Sequence, residues 1–283
     1  MSSWCKKGES VKHAKQVKEL IKDIKKEPKK LLTTTMRKLP SVKHWTEVVF
    51  CGFGDGAPDN RPQGRASGGT VITASGEEVL TGETTKMNYI TGRGWKLERV
   101  SKSSNEVEIQ SMNATENTLY RTRLIWAEIN GFGYKYGKNY TDRAKACVGQ
   151  VRGILATDSK GGFDAVTAQE SASLGMKDER SAIEALQLKQ RLEDPSLKIV
   201  WLSSDWNLAD CMTKLKPDCR RPMEYFLKTG YWRLKYDPDF ILACKKKPVK
   251  AVSELKKIKQ AMLLECNFAN QIGKLKKWLM KGP

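Results

Sequence analysis

Apolar positions along this chain recur with two periods, and the switches between them mark out its elements. From Val11 to Ile24, the residues Ala14, Val17, Leu20, Ile21 and Ile24 form one stripe at helical spacing, and Pro28 ends it. The spacing predicts a helical arm. A linker around Lys38-Leu39-Pro40 leads into EVVFCGFGDG, residues 47 to 56, which is apolar on both faces and predicts a central strand. Val49, Cys51, Phe53 and Asp55 share one side of it. The overlapping DGAPDNRPQG is dense in turn residues and predicts a loop. A second strand from Gly69 to Ala74 and a third ending between Lys96 and Val100 follow, joined by hairpin-type connections. The stretch Gly76 to Tyr89 between them carries no pattern that places it.

Ser103-Ser104-Asn105-Glu106 fits a capping box and predicts the start of a long helix, which gives Glu106 a structural task. Glu108, Met112, Leu119 and Trp126, with Ile129 beyond, lie along a single side of that helix, the side expected to pack on the sheet. A carboxylate at the top of a buried stripe needs a cation, although a first-turn Glu also complements the helix dipole. Residues 131 to 150, rich in Gly, Tyr and Lys, read as a connection. Val151, Ile154 and Leu155 then lead into ATDSKGG, residues 156 to 162, a buried strand ending on Asp158. Helices are predicted over Phe163 to Ser173 and Glu179 to Leu192, the second broken by Asp194-Pro195. Leu197 to Leu202 is a further strand, and Asp210 falls on a short helix in SSDWNLADCMTK. A carboxylate at the carboxyl end of an α/β strand sits where such sheets place their chemistry, and equally where an Asp caps the next helix. Asp210 likewise reads either as a site residue or as a solvated helix residue.

Composition narrows the field. The chain has 283 residues, enough for one domain with extensions or two small ones. Its 7 cysteines are scattered without a Cys-x-x-Cys pair, which suggests reduced thiols in a reducing compartment. The chain is therefore expected inside the cell, in nucleus, cytoplasm or an organelle. No apolar run reaches membrane-spanning length, and no apolar stretch follows Lys6 and Lys7, so neither a membrane span nor a secretory signal is expected. The two histidines, His13 and His44, disfavour a histidine-dependent metal site or triad.

Of the net charge of +19, residues 1–45 and 245–283 carry +9 each, and the stretch between is close to neutral. A neutral body between two cationic arms suits a protein that binds a polyanion, since lysines release counterions from a phosphate chain. Two solvated lysine-rich helices would show the same charge.

The candidate chemistry lies in four acids, Asp55, Glu108, Asp158 and Asp210, on the first strand, the long helix, the fourth strand and a late helix. If they converge, they either bind divalent cations or carry strongly raised pKa values. Two magnesium ions held by carboxylates are the standard device for in-line displacement at a phosphodiester.

Four segments carry a resemblance: FGDGAPDNRPQGRASGG (53–69), GWKLERVSKSSNEVEIQSM (94–112), LATDSKGGFDAVT (155–167) and NLADCMTK (207–214). Together they resemble the ribonuclease H domain of copia-type long-terminal-repeat retrotransposon polyproteins, over roughly residues 46–216. The resemblance implies an α/β fold with a five-stranded mixed sheet, its first three strands antiparallel and helices on both faces. It implies that Asp55 bridges two Mg2+ ions, for which Mn2+ substitutes. Asp210 would complete the site of the water-activating ion, while Glu108 and Asp158 would hold the second. The implied substrate is the RNA strand of an RNA/DNA hybrid, read by A-form shape and 2′-hydroxyls, with a 5′-phosphate and a 3′-hydroxyl as products. Arg93, Lys96, Arg99 and Lys102, with Ser159 and Lys160, are the candidate contacts to nucleic acid.

The resemblance divides the chain into a basic helical arm over 1–45, similar to the polymerase thumb or connection, a ribonuclease H-like domain over 46–216 and its extension over 217–247. Residues 248–283 form a basic amphipathic helix by their pattern, with Val252, Leu255, Ile258, Met262, Ile272, Leu275 and Leu279 on one face. No adjacent Asp-Asp pair remains for polymerase chemistry. Where cellular ribonucleases H usually have a histidine that helps product release, this chain has Trp206 and Asn207, so slow turnover is expected. The alternative reading is a catalytically silent member of the fold that binds nucleic acid in a larger RNA-protein assembly. An integrase or transposase is disfavoured because that class closes its acid set on a helical Glu, whereas this chain closes on Asp210.

Overall fold

The computed structural model describes residues 36–61, 65–99, 101, 103–131, 139–168, 179–214 and 217–234, together with residue 22. The amino-terminal cationic arm, apart from residue 22 and its inner edge from residue 36, the whole carboxyl-terminal arm and Lys102 lie outside the described residues.

The sheet is built around the strand expected at its centre. Strands β1 (Val49–Arg61), β2 (Arg65–Ser75) and β3 (Thr85–Lys96) form an antiparallel meander, and β4 (Gly153–Thr157) and β5 (Leu197–Trp201) run parallel to β1 on its other side. A two-residue strand, β6 (Tyr231–Trp232), pairs with β3, giving the order β5-β4-β1-β2-β3-β6. Five of the six strands reproduce the mixed sheet implied by the ribonuclease H resemblance; β6 extends it at one edge.

The helices are α1 (Ser104–Ile129), α2 (Tyr140–Gly149), α3 (Lys160–Thr167), α4 (Glu179–Arg191), α5 (Asp210–Thr213) and α6 (Pro217–Thr229). Period-two alternation along β1 divides the core between the two faces. Val49, Cys51 and Phe53 pack with Val71, Ile154, Ala156, Leu208, Phe226 and Trp232. Phe50 faces the opposite layer with Ile72, Leu119, Leu124 and Ala127, where α1 lies. That layer continues through Ile109 and Met112 to Leu155, Ala165 and Leu188 under α3 and α4. Glycines at alternate positions of β1 let α1 approach closely. A Cβ on Gly54 would stand 3.0 Å from Thr115 Oγ1, and one on Gly56 would stand 2.9 Å from the Val107 backbone.

Several expectations need correction. The turn-rich segment Gly56 to Arg61 is strand, because β2 pairs with it through Ala57↔Ser67 and again at Arg61↔Arg65. Pro58, which has no N–H to donate, falls at the register shift between those pairs. The expected connection over 131–150 contains α2, capped by the Asn139 side chain accepting from Thr141 N at 3.2 Å. The unpatterned stretch Gly76 to Tyr89 is a 3-10 turn, Glu77–Thr81, closed by Gly82 at φ 80, followed by the start of β3. The sheet-facing stripe of α1 holds for Met112 and Leu119 but not for Ile129, which is 73% exposed. The cap at Ser103 is present, its hydroxyl accepting from Glu106 N at 3.3 Å. The four described cysteines, Cys51, Cys147, Cys211 and Cys219, are free thiols. No described helix is long and apolar enough to cross a membrane.

Candidate active site

Parallel pairing of β1 with β4 reaches Gly54↔Thr157, so one further step sets Asp55, midway along β1, level with Asp158 just past the end of β4. The strand stops one residue before Asp158. From the face of Val49 and Phe53, α5 brings Asp210 across the same end. Its approach relies on glycine in β2 and β3: a Cβ on Gly69 would stand 2.8 Å from Thr213 Cγ2, and one on Gly94 would collide with Met212 O. Asp55, Asp158 and Asp210 each offer a carboxylate oxygen within 4.8 Å of the others. Glu108 arrives from the first turns of α1 on the opposite face, and its Oε2 accepts from Gly56 N at 3.0 Å. Three of the acids thus form a tight group, with Glu108 beside it.

Each carboxylate is held by a neighbour. Thr213 donates its hydroxyl to Asp55 Oδ2, and Ser111 Oγ donates to the Asp55 carbonyl at 2.5 Å. Asn207 donates through Nδ2 to Asp158 Oδ1 at 2.8 Å and to the Gly54 carbonyl at 2.9 Å, while its Oδ1 accepts from Ala209 N at 3.1 Å. Trp201 Nε1 donates to the Asp158 carbonyl at 3.1 Å. Lys214 pairs with Asp210 Oδ1 at 2.8 Å and with Asp55 Oδ1 at 3.3 Å. The positioning roles of Ser111, Asn207, Thr213 and Lys214 are not contained in the four-acid pattern. Three of these residues lie in NLADCMTK, the segment that carries Asp210.

Burial and crowding push the acids upward. The Asp158 carboxyl rises to about 6, first by burial and then by the Asp55 charge, with Asn207 and Lys214 opposing. Asp210 rises to about 7 for the same two reasons, against the pull of Lys214. Glu108 rises to about 9 through burial, Asp55 and Asp158. For Lys214, burial works against the ammonium, but Asp55 and Asp210 outweigh it and hold the group above the ordinary lysine range.

These shifts set a pH dependence. An acid with a raised folded-state pKa binds more protons in the native than in the unfolded chain, so stability falls as pH climbs from the unfolded value toward the folded one. In a chelator, the melting temperature is expected to decline between about pH 4 and pH 9, the window set by Asp158, Asp210 and Glu108. Lys214 keeps its contribution throughout that window. Millimolar Mg2+ is expected to restore stability most at the alkaline end, where the carboxylates are ionised. Melts in which stability without metal rises with pH would contradict the assignment.

An all-oxygen donor set on separate elements suits a hard divalent cation such as Mg2+ or Mn2+, not the metals of thiolate or imidazole sites. Buried acids with raised pKa values fit it too, because added positive charge relieves them. The residues present therefore fit the implied metal.

The candidate nucleic-acid contacts divide. Gly69 pairs with Asp55 on one side and with Gly94 on the other. That sets Arg93 and Lys96, both exposed, near the level of Asp55 and two strands away, about 10 Å at the usual strand spacing. Arg93 lies over the Trp95 ring, 4.9 Å from its centroid. Arg99 is tied to Glu184 at 2.5 Å, Ser159 caps α3 by accepting from Gly162 N at 3.1 Å, and Lys160 pairs with Asp164. Trp206 and Asn207 are both buried, Trp206 against Trp232 with a ring-centroid separation of 5.3 Å.

No protein-family model and no curated protein matches the sequence. Among solved structures, the chain is similar to a ribonuclease H1 isolated from compost by a metagenomic approach. That likeness has 13% identity and a TM-score of 0.36, covering 59% of this chain and 93% of the other. It is also similar to the ribonuclease H domain of prototype foamy virus, at 10% identity and a TM-score of 0.33, covering 65% and 93%. The foamy viral protease-reverse transcriptase in complex with RNA/DNA hybrid gives 14% and 0.32, covering 64% of this chain and 21% of that one. At identities and scores this low, the functional reading stands on this chain's own strand order and carboxylates.

Proposed function

We propose that the chain is a metal-dependent endonuclease that hydrolyses the RNA strand of RNA/DNA hybrids, derived from a retrotransposon polyprotein of the copia type. The observation that carries the reading is the convergence of Asp55, Asp158 and Asp210 at one end of a mixed sheet, with Glu108 beside them. Four acids from four distant segments meet where burial alone would keep carboxylates apart. The sequence resemblance supplies the substrate.

Asp55, Asp210, Glu108 and Asp158 are the residues that would hold divalent ions. Such ions, when bound, lower the pKa of water and stabilise charge on a phosphodiester. The chain's own contribution is positioning. Thr213 fixes the Asp55 carboxylate, Asn207 fixes Asp158, and the Gly56 amide fixes Glu108. Arg93 and Lys96, exposed two strands from Asp55, are the proposed contacts to the hybrid's phosphate backbone, and the lysine-rich termini add attraction that salt weakens. Because Trp206 and Asn207 are packed into the core, neither serves product release as a mobile histidine would, and turnover is expected to be slow.

The test is the purified full chain with Mg2+ and an end-labelled hybrid. Cuts are expected in the RNA strand alone, leaving 5′-phosphates, with none in single-stranded RNA or duplex DNA and none in a chelator. Salt-sensitive binding without cleavage would instead establish a silent nucleic-acid-binding protein.

A further inference from the structure

The carboxylate cluster already contains a positive charge of the chain's own. Lys214 stands one residue beyond α5, four residues after Asp210, and its Nζ lies between Asp210 Oδ1 at 2.8 Å and Asp55 Oδ1 at 3.3 Å. The Asp55 side chain is only 1% exposed, whereas that of Lys214 is 36% exposed, so the ammonium reaches the acids from the solvent side. Thr213 takes the other oxygen of Asp55. An oxygen-ligated divalent ion sits about 2.0–2.6 Å from its ligands, which places it in the volume that this ammonium occupies. Two cations cannot share that position, because their repulsion at such a separation is large in a partly buried site.

We propose that the Lys214 ammonium is the resident cation of the cluster, and that a divalent ion loads the site only by displacing it from between Asp55 and Asp210. The proposal rests on the reading of the cluster as a metal centre and adds to it the group that sets how much metal is needed. A compact ammonium on a flexible four-carbon stem is suited to leaving, since it can retract into water without disturbing the backbone. While in place, it keeps Asp55 and Asp210 together without metal. Lys214 is thus a positioning residue that competes with the ions it prepares for.

Calorimetric titration of MnCl2 into the full chain tests this without reference to activity. Lys214→Met keeps side-chain length and removes the charge. It is expected to bind Mn2+ on the order of tenfold more tightly than wild type and to melt at a lower temperature in chelator. Lys214→Arg, which keeps the charge, is expected to bind near the wild-type strength. Should Lys214→Met not yield folded protein, Lys214→Gln carries the same comparison. Equal or weaker Mn2+ binding by the uncharged variant overturns the proposal, as does equally tightened binding by Lys214→Arg. If wild type binds Mn2+ and the variants match it, only the role of Lys214 falls. If neither wild type nor variant binds Mn2+, the metal-centre reading falls with it.

Discussion

Asp158→Asn is expected to reduce cleavage of the RNA strand by on the order of a thousandfold while leaving the fold intact. Asp158 sits level with Asp55 across the β1–β4 pairing and within 4.8 Å of it by carboxylate oxygens. Metal-borne stabilisation of a transferring phosphoryl group amounts to several kcal/mol. At about 1.4 kcal/mol per tenfold, losing one ligand accounts for the expected factor. The amide retains an oxygen to accept from Asn207, so the local geometry survives. It also removes a buried charge that Asp55 repels, the two effects that push Asp158 to about 6. The variant should therefore melt no lower than wild type in chelator at pH 8, and higher if the repulsion is strong. Loss of cleavage together with retained or increased stability separates a catalytic role from a structural one. Cleavage at the wild-type rate would remove Asp158 from the mechanism.

The second large effect is structural and lies at the other end of the sheet. Arg123, on α1, is 1% exposed and donates through Nε to the Val151 carbonyl at 2.7 Å and through Nη2 to the Val148 carbonyl at 2.9 Å and to Ser196. It ties the helix to the segments that enter β4 and β5. Burial lowers its guanidinium to about 10, with Asp194 and Glu116 opposing that fall, so it remains charged at neutral pH. Arg123→Met deletes these charge-assisted bonds, each worth roughly 1.5–3 kcal/mol, and strips the Val151 carbonyl of its guanidinium donor, while Val148 O keeps Val151 N and Glu116 keeps Arg191; the expected loss is about 3–5 kcal/mol. For a domain of this size, about 2–4 °C per kcal/mol puts the melting temperature roughly 10 °C lower. A shift under 2 °C in calorimetry would show that the buried guanidinium is offset by its own desolvation. Cleavage at low temperature should persist, because Arg123 stands at the amino end of β4 and the acids at its carboxyl end.

What the sequence reveals follows physical period and local chemistry. The alternation Val49, Cys51, Phe53, Asp55 predicts the buried face of β1 and the acid on it, although the strand runs on past Asp55 to Arg61, and Ser103 marks the start of α1 through its cap. The strand after Val151 and the short helix at Asp210 follow from apolar runs and their breaks. Partnership is not legible in the same way. Gly56 to Arg61 has turn composition, yet pairing with β2 overrides that preference. Nothing in the residues around Arg123 signals its burial, which only the packing of α1 brings about. Asn207, Thr213 and Lys214 have no local signature, because their roles exist only once β1, β4 and α5 are brought together. Arg99 looks like a handle for phosphate, and Glu184 on α4 claims it.

The central claim is that Asp55, Glu108, Asp158 and Asp210 gather divalent cations, and manganese anomalous scattering from soaked crystals tests it most directly. Peaks are expected beside Asp55 of β1 and the carboxyl end of β4, within about 2.0–2.6 Å of carboxylate oxygens, with the Lys214 ammonium withdrawn from Asp55. Density that remains free of anomalous signal at saturating manganese, with Lys214 still paired to Asp55 and Asp210, would contradict it.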